Sequence, residues 1–334
     1  MQVKIEDVAK RAGVSIATVS LALNGNEKVS AKTRERIVAI AGEMGYRPNP
    51  AAKRLAMRKS RQIGLVVPDI ENIYYAKLAQ HTLNELHSSD YGLTISTSMN
   101  SRKMERRIIY DMIGNQVEGL LIAPVENPNS NVEYLEDLRR AHIPYVFVTA
   151  SYPNLQHHCV MCDLYGGMKQ LLEALYAQGY RRMILLSGAE KADCFDLRNH
   201  AFHDFMQEHG LDGERIFHLN GIRYDDAYRF ATKLDAADID AVLCVNDMMA
   251  LGVINAFTEC GVRVPGDVAV AGFDDSIFSR VSLISITTVR QDIHQMAVQA
   301  AKSILTLAGG EMLEKLIPIP CEVIPRESTD TRLS

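Results

Sequence analysis

Polar side chains that could bind a small molecule follow several apolar segments of the chain. Arginine offers a fork of donors, and aspartate and asparagine offer paired acceptors, which suits a hydroxyl-rich or anionic ligand. Two adjacent tyrosines add apolar faces with polar tips, suited to stacking on a sugar ring. The candidate ligand contacts are Asp69, Tyr74, Tyr75, Thr149, Arg198, Asn246 and Asp274.

Three further aspartates in similar positions have a second interpretation. Asp163, Asp247 and Asp275 each stand where a helix could begin, and a carboxylate there accepts a backbone N–H of the first turn. We therefore expect these three to be helix caps, and we assign ligand contact to Arg198 and Asp274.

Alternating strands and helices must position these side chains. From residue 62 onward, apolar runs typical of buried parallel strands alternate with amphipathic helices such as 76–87 and 103–114. The predicted strands are 63–67, 92–95, 119–123, 145–148, 183–186, 241–244 and 268–271. The pattern predicts an α/β body of two doubly wound parallel sheets with a cleft between them. Residues at the carboxyl ends of the strands should line the ligand site.

Charge divides the chain into a basic first part and an acidic remainder. Residues 1–61 contain 13 Lys and Arg against 5 Asp and Glu, whereas the remainder contains 23 against 36. The overall net charge of −5 hides this asymmetry. A small basic unit on an acidic body is expected where one end binds a polyanion, and nucleic acid is the first candidate.

Apolar spacing in the basic part predicts three short helices. One ends at Gly13, a second covers 16–23 behind the cap Ser15, and a third follows the cap Ser30 and ends at Gly45. Two helices joined by a glycine-containing turn form a helix-turn-helix, whose second helix fits the major groove of DNA. A helical hairpin for protein contact is the alternative, but it does not explain the excess of basic residues.

The second helix of this motif supplies candidate DNA contacts. Its first turn directs Ile16, Ala17 and Thr18 toward base edges. Hydroxyls of Ser15, Thr18 and Ser20 can donate to phosphate oxygens, and the amino end of the helix attracts phosphate.

A linker joins the basic unit to the body. Pro48 and Pro50 prevent a continuous helix, because each lacks an N–H and restricts the residue before it. Residues 51–57 then predict a basic helix that is too short to be stable alone. We expect it to fold when it docks on DNA and on its counterpart in a second subunit.

Composition excludes several classes of protein. Hydrophobic residues make up 47% and charged residues 23% of the 334, as in a globular chain of two or three units. The sequence contains no membrane-spanning run and no apolar signal-peptide core, so we expect a cytoplasmic protein. Its six cysteines are then expected to be reduced thiols.

An enzyme and a periplasmic sugar-binding protein are the alternatives to a DNA-binding protein with a ligand-binding body. The sequence has no glycine-rich phosphate loop, Gly-x-Ser-x-Gly elbow or His-Glu-x-x-His motif. A periplasmic protein would share the body but would need a signal peptide and would lack the basic unit. Cys159 and Cys162 could bind a metal or form a redox pair, but a single Cys-x-x-Cys is a weak signal. We expect ordinary buried thiols and no cofactor.

Motifs along essentially the whole chain resemble the LacI/GalR family of transcription regulators, and their combination is highly specific. Those in the first part are Asp7-Val8-Ala9, Ala12-Gly13-Val14-Ser15, Thr18-Val19-Ser20, Leu23-Asn24, Val29-Ser30, Thr33-Arg34, Gly45-Tyr46 and Pro48-Asn49. Those in the body are Asn246-Asp247-Met248-Met249-Ala250-Leu251-Gly252, Gly272-Phe273-Asp274-Asp275 and Thr287-Thr288-Val289-Arg290-Gln291.

The resemblance implies a homodimeric repressor of carbohydrate-utilisation genes that binds a pseudo-palindromic operator and responds to a small effector, expected to be a sugar. It implies that Leu55 wedges between base pairs in the minor groove, with Ala52 and Asn49 beside it. A regulator with a purine or other corepressor is the alternative. The absence of leucine heptads near the end of the chain favours a dimer over a tetramer. The full set of candidate DNA contacts is Ser15, Ile16, Ala17, Thr18, Ser20, Leu21, Asn24, Asn49, Ala52 and Leu55.

The resemblance also divides the chain into a helix-turn-helix domain, a hinge and an effector-binding and dimerisation domain, and places Arg198, Asn246 and Asp274 in the effector site. The boundaries are 1–46, 47–61 and 62–334. Within the body, an N-terminal subdomain covers about 62–161 and 292–319, and a C-terminal subdomain about 162–291 and 320–328.

Three positions depart from the family pattern. Leu21 stands where the family usually has an arginine, so a guanine-reading fork is missing and the operator cannot be inferred from relatives. Thr149 replaces a residue that is charged in many relatives, and Leu164 replaces a common asparagine. The identity of the effector, and whether it releases DNA or acts as a corepressor, therefore stays open.

Overall fold

The computed structural model describes residues 3–46, 60–125, 134–150, 157–189, 197–211, 215–311 and 316–330. Residues 1–60 and 61–334 form two separate units. None of the helices in these ranges is both long and apolar enough to cross a membrane.

The first unit is built from three helices, α1 (Ile5–Ala12), α2 (Ile16–Leu23) and α3 (Ala31–Glu43). Gly13 ends α1 with a φ of 63°, and the hydroxyls of Ser15 and Ser30 cap α2 and α3, as the sequence predicts. The apolar faces meet in a small core of Val8, Ala9, Ala12, Val19, Ala22, Val29, Ile37 and Ala41. The predicted hinge helix, 51–57, lies outside the described residues.

The second unit contains two six-stranded sheets. The first sheet has the order β11-β5-β4-β3-β1-β2, and the second has the order β12-β10-β9-β8-β6-β7. Neighbouring strands are parallel, except that β10 and β12 are antiparallel. The strands are β1 (Gln62–Val67), β2 (Gly92–Thr97), β3 (Gly119–Ile122), β4 (Tyr145–Val148), β5 (Cys159–Cys162), β6 (Met183–Ser187), β7 (Ile216–His218), β8 (Ala241–Cys244), β9 (Ala269–Asp274), β10 (Thr287–Gln291), β11 (Leu316–Ile319) and β12 (Cys321–Ile324).

Helices cover the sheets, so central strands are buried on both faces. Leu65, Val66 and Val67 of β1 are completely buried, which explains why such strands have continuous apolar sequences. The helices are α4 (Ile73–Ser88), α5 (Arg102–Gly114), α6 (Tyr134–Arg140), α7 (Leu164–Ala177), α8 (Leu197–Glu208), α9 (Tyr224–Ala231), α10 (Asp247–Glu259), α11 (Ile277–Val281) and α12 (Ile293–Ala308).

The chain passes between the two sheets at three places in the described ranges: through α7 after β5, through α12 after β10, and at Pro320 between β11 and β12. One continuous cluster of buried apolar side chains runs through both sheets. The predicted α/β fold class and all seven predicted strands are confirmed. Strands β5, β7, β10, β11 and β12 were missed because they are short or rich in polar residues.

Candidate functional site

A chain of hydrogen bonds joins three side chains across the two sheets. Tyr74, in the first turn of α4, donates its hydroxyl to Oε1 of Gln291 over 3.1 Å. Gln291 in turn donates Nε2 to Oδ1 of Asp274 over 2.7 Å. Because Gln291 ends β10 just before the crossover into α12, this chain links the two halves of the body.

Burial changes the predicted role of Tyr74. Tyr74 is only 7% exposed and its hydroxyl is bonded to Gln291, which leaves little of this side chain for direct contact with a ligand. Tyr75 is half-buried beside it, with ring centroids 5.3 Å apart and planes at 87°. Tyr75 is therefore the better placed of the two rings to stack on a ligand.

Asp274 is the most perturbed carboxyl of this group. It ends β9 with a φ of 107°, in a backbone region that non-glycine residues rarely adopt. Burial and the nearby carboxylate of Asp247 raise the pKa of Asp274 to about 7, although Arg198 and the hydrogen bond from Gln291 oppose this. A raised pKa favours the protonated carboxyl, which can donate as well as accept hydrogen bonds.

An ion-pair cluster holds the backbone that presents Asp274. Asp275, also at positive φ, accepts from Nε of Arg290 over 2.8 Å and from the guanidinium of Arg326. These arginines lower the pKa of the Asp275 carboxyl against the effect of its burial. The prediction that Asp275 caps a helix is wrong, because its carboxylate is taken up by Arg290 and Arg326 and by the Ser279 hydroxyl.

The two remaining cap predictions have different outcomes. Asp163 does cap α7, accepting from the Gly166 N–H over 2.8 Å. Asp247 does not cap α10, because Asn246 fills that position. Asp247 is 1% exposed and accepts from the Ser276 N–H over 2.6 Å and from the Thr288 hydroxyl. Its burial raises the pKa of this carboxyl to about 6.

Asn246 and Arg198 lie at the carboxyl end of β8. Oδ1 of Asn246 accepts from the Met249 N–H over 2.8 Å, and its Nδ2 donates to the Ile222 carbonyl over 2.9 Å. Arg198, in the first turn of α8, donates to the Val245 carbonyl over 2.8 Å, with its guanidinium 5.3 Å from the Phe273 ring centre. Both side chains thus have protein partners at the strand ends.

Sequence reasoning missed an arginine that joins the two halves of the body by an ion pair. Nη2 of Arg223 lies 3.0 Å from Oδ2 of Asp69 and 3.6 Å from Oε2 of Glu71. Asp69 follows β1 in the first sheet, whereas Arg223 directly precedes α9 of the second. Because β7 was not predicted, no signal marked Arg223 as a residue following a strand.

Thr149 follows β4 at a φ of 71° and is half-buried, with its N–H donating to the Val160 carbonyl over 3.0 Å. Its hydroxyl is a small polar group where the resemblance implied that relatives carry charge.

Cys159 and Cys162 lie on β5 and are 3% and 0% exposed. The Cys159 thiol donates to the Ala150 carbonyl over 3.7 Å. The hydrogen bond with Cys321 and burial raise the pKa of the Cys162 thiol. The described residues contain no disulfide at these positions and no group of three potential metal ligands.

The candidate DNA contacts of the first unit that the structure describes lie on α2 and at its two ends. The Ser15 hydroxyl accepts from the Thr18 N–H over 3.1 Å and lies 2.8 Å from the Thr18 hydroxyl. One of the two hydroxyl protons is used between them, so the pair retains one donor for a phosphate oxygen. Nδ2 of Asn24 donates to the Ser20 carbonyl over 2.9 Å and closes the carboxyl end of α2.

Three predicted DNA contacts, Asn49, Ala52 and Leu55, lie outside the described residues. Of the others, Ile16 is 47% exposed, Ala17 is also exposed, and Leu21 is half-buried against the core of the first unit.

Two family models match the chain. "Bacterial regulatory proteins, lacI family" matches residues 4–49, and "Periplasmic binding protein-like domain" matches residues 172–329. The HTH-type transcriptional regulator pepR1 of Lactobacillus delbrueckii subsp. lactis is 30% identical over 329 residues, which covers 98% of each chain. The chain belongs to the lacI family of bacterial regulatory proteins. The resemblance inferred from the motifs is thus confirmed.

Solved structures of family members have the same fold. A lac repressor dimer bound to operator and an anti-inducer aligns with a TM-score of 0.89 at 24% identity, covering 98% of this chain and 99% of that one. A complex of the transcriptional regulator CelR with cellobiose aligns with a TM-score of 0.72 at 26% identity, covering 98% and 100%. The match to lac repressor supports the fold, with the helix-turn-helix unit and the periplasmic-binding-protein-like body on one chain.

Proposed function

We propose that this lacI-family chain is a dimeric, sequence-specific repressor of carbohydrate-utilisation genes, controlled by a small sugar or sugar derivative in the cleft of its body. One observation carries the proposal. A helix-turn-helix unit whose second helix exposes Ile16 and Ala17 shares a chain with a two-sheet body in which Arg198 lies near Asp274 and Arg223 pairs with Asp69. DNA binding and ligand binding thus reside in separate units.

Donors and acceptors at the cleft suit a polyhydroxylated ligand. The guanidinium groups of Arg198 and Arg223 donate, the carboxyls of Asp69 and Asp274 accept, and Tyr75 supplies a ring face. The transcriptional regulator CelR, which has the same fold, was solved with cellobiose, which supports a sugar as ligand. We propose as ligand contacts the residues Asp69, Tyr75, Thr149, Arg198, Arg223 and Asp274. Tyr74 and Gln291 position Asp274, and Asn246, which is as buried as Tyr74 and has both polar atoms bonded, caps α10 beside the site.

The same residues suggest how an effector would act. Asp69 pairs with Arg223 across the cleft, and Gln291 connects Tyr74 to Asp274. A ligand that replaces or strengthens these contacts binds one arrangement of the two halves more tightly and shifts the population toward it. The shift would reach DNA through the hinge, 47–61, which is covalently attached to β1 of the first sheet.

An exposed apolar surface supports the proposed dimer. Val281, which ends α11, and the nearby Leu283 are 67% and 95% exposed, and Ile277 of α11 is 37% exposed. Apolar clusters of this kind mark protein–protein contacts, and we propose a second copy of the chain as the partner. A pseudo-palindromic operator would follow, because two-fold protein symmetry calls for matching half-sites.

Two measurements on the full chain test this function. First, the protein should enrich a two-fold symmetric sequence from a randomised duplex library. Second, a thermal-shift screen of sugars, sugar acids and nucleobases should find a ligand that raises the unfolding temperature, since ligands of the folded state stabilise it. If no sequence is enriched from the library, sequence-specific DNA recognition is contradicted. If a purine rather than a sugar stabilises the protein, the effector is instead the purine corepressor of the alternative hypothesis.

A further inference from the structure

Helix α2 carries an unusual set of side chains for a helix that recognises DNA. Its sequence, IATVSLAL, contains no Arg, Lys, Asn, Gln, Asp or Glu. Side chains of these types make most of the bidentate hydrogen bonds that distinguish one base pair from another in the major groove. The only polar side chains on α2 are the hydroxyls of Thr18 and Ser20.

These two hydroxyls are poorly placed to replace the missing side chains. Thr18 is paired with the Ser15 hydroxyl at 2.8 Å, as part of the cap of α2. Ser20 is half-buried, and its side chain ends in a single short hydroxyl. Hydrogen-bonded readout by α2 is therefore limited to short hydroxyls close to the helix.

The two side chains of α2 that are exposed are instead apolar, and a third, half-buried apolar side chain lies beside one of them. Ile16 and Ala17 lie in its first turn, and Leu21 follows Ala17 by four residues, so the two are neighbours on the helix surface. Ile16 is 47% exposed, Ala17 is exposed, and Leu21 is half-buried. We call Ile16, Ala17 and Leu21 the apolar reading face.

The chemistry of the major groove leaves one partner for such a face. Every base edge there presents hydrogen-bond donors or acceptors, and only thymine adds an apolar group, its C5-methyl. An aliphatic side chain pressed on guanine O6 and N7 or on cytosine N4 would remove these groups from water without replacing their hydrogen bonds, which is unfavourable. Contact with a thymine methyl buries apolar surface on both sides.

We propose that the apolar reading face recognises thymine methyl groups, so that each half-site of the operator carries thymines where α2 lies in the major groove. This inference rests on the proposed function as a sequence-specific DNA-binding protein. The basic excess of residues 1–61 supplies attraction to any duplex, and the methyl contacts select among sequences.

Deoxyuridine substitution tests this proposal, because it deletes the C5-methyl and leaves base pairing intact. The full chain first selects its sequence from the randomised library, and each thymine of that duplex is then replaced singly. At thymines under α2 the affinity should fall about fourfold per methyl, the equivalent of one buried CH₂ group. The salt dependence of binding should stay unchanged, since no phosphate contact is lost. Uridine in the flanking sequence should have no effect.

Variants assign the methyl contacts to the face. Ile16→Ala removes an exposed side chain and leaves the core of the first unit intact, and it should abolish the uridine penalty at one position of each half-site. Val38→Ala is the matched control, because Val38 is an aliphatic residue of α3 with 50% exposure. Val38→Ala should leave the loss of affinity on deoxyuridine substitution unchanged at every position. Leu21→Arg should shift the preference at one base pair from thymine to guanine.

The outcomes separate the two proposals. Three results together support methyl recognition. The enriched sequence has thymines in each half-site, deoxyuridine substitution lowers the affinity, and Ile16→Ala removes that loss of affinity at one position. An enriched sequence whose uridine forms bind equally well, or whose half-sites lack thymine, overturns methyl recognition and leaves the proposed function standing. If no sequence is enriched, the proposed function itself fails, and methyl recognition fails with it.

Discussion

Asp274 shows how far a residue's chemistry depends on its neighbours. Its sequence context, an aspartate after an apolar strand, indicated a ligand contact. In the folded chain, burial and Asp247 raise its pKa from 3.8 to about 7, so the folded state binds a proton more tightly than the unfolded state. The free energy of unfolding should therefore fall as pH rises from about 4 to about 7, and each unit of pKa shift is worth about 1.4 kcal/mol.

Asp274→Asn tests this pH dependence. The amide oxygen still accepts from Gln291, but it has no charge to lose, so the variant should gain stability relative to the wild type as pH rises. Urea unfolding of both proteins between pH 4 and pH 8 measures the difference. The pKa of Asp247 is also raised, so the fall in the free energy of unfolding with rising pH should become shallower in the variant rather than vanish. Identical pH profiles for the two proteins would contradict the prediction.

Arg198→Ala should separate effector binding from DNA binding. The guanidinium contacts the Val245 carbonyl and lies near Asp274 in the body, whereas the predicted DNA contacts lie in residues 15–55. We expect DNA affinity to stay within about twofold of the wild type, while the thermal shift caused by the effector is lost. Arg263→Ala, which removes a surface arginine paired with Asp267, is the control and should keep the shift. An Arg198→Ala variant that still responds would remove Arg198 from the site.

At the scale of elements, the segment between the two units makes a prediction about folding on DNA. The hinge segment 51–57 is too short for a stable isolated helix, so its folding should be coupled to DNA binding and to pairing with the second subunit. Two leucines, one from each subunit, would then kink the operator at a cost of a few kcal/mol for unstacking.

Leu55→Ala should lose specific affinity and bending, while non-specific, salt-sensitive binding survives. The methyl of alanine cannot fill the space between unstacked base pairs, so no side-chain contact offsets the free-energy cost of unstacking them. Circular-permutation gel shifts measure the bend, and Leu21→Arg, which changes base preference only, should bend DNA like the wild type. The wedge role is wrong if Leu55→Ala bends DNA as the wild type does.

For the whole molecule, the division of charge makes a prediction about salt. The basic residues of 1–61 should neutralise phosphates, so log affinity should fall linearly with log salt, with a slope of about −0.9 per phosphate contacted. The body fragment 62–334 has 23 basic residues against 36 acidic ones and should not bind DNA. Fluorescence anisotropy with a labelled duplex measures both, and any binding by the fragment would contradict the charge argument.

Local sequence patterns were sufficient to predict much of the secondary structure. The helices of the first unit, their caps Ser15 and Ser30, and seven strands of the body follow from spacing over ten residues or fewer, because side-chain period and capping chemistry act at short range. Family membership was also within reach of the sequence, since the motifs around α2 and β9 are specific in combination.

Tertiary structure alone decided which of the candidate groups meet. Tyr74 and Gln291 are 217 positions apart and Asp69 and Arg223 are 154 apart, so no local spacing indicates that they are partners. The sequence could not tell that Asn246 rather than Asp247 caps α10, or that Arg326 engages Asp275. Burial, charge pairing and pKa depend on groups that approach from distant parts of the chain, and these exist as neighbours only once both sheets have formed.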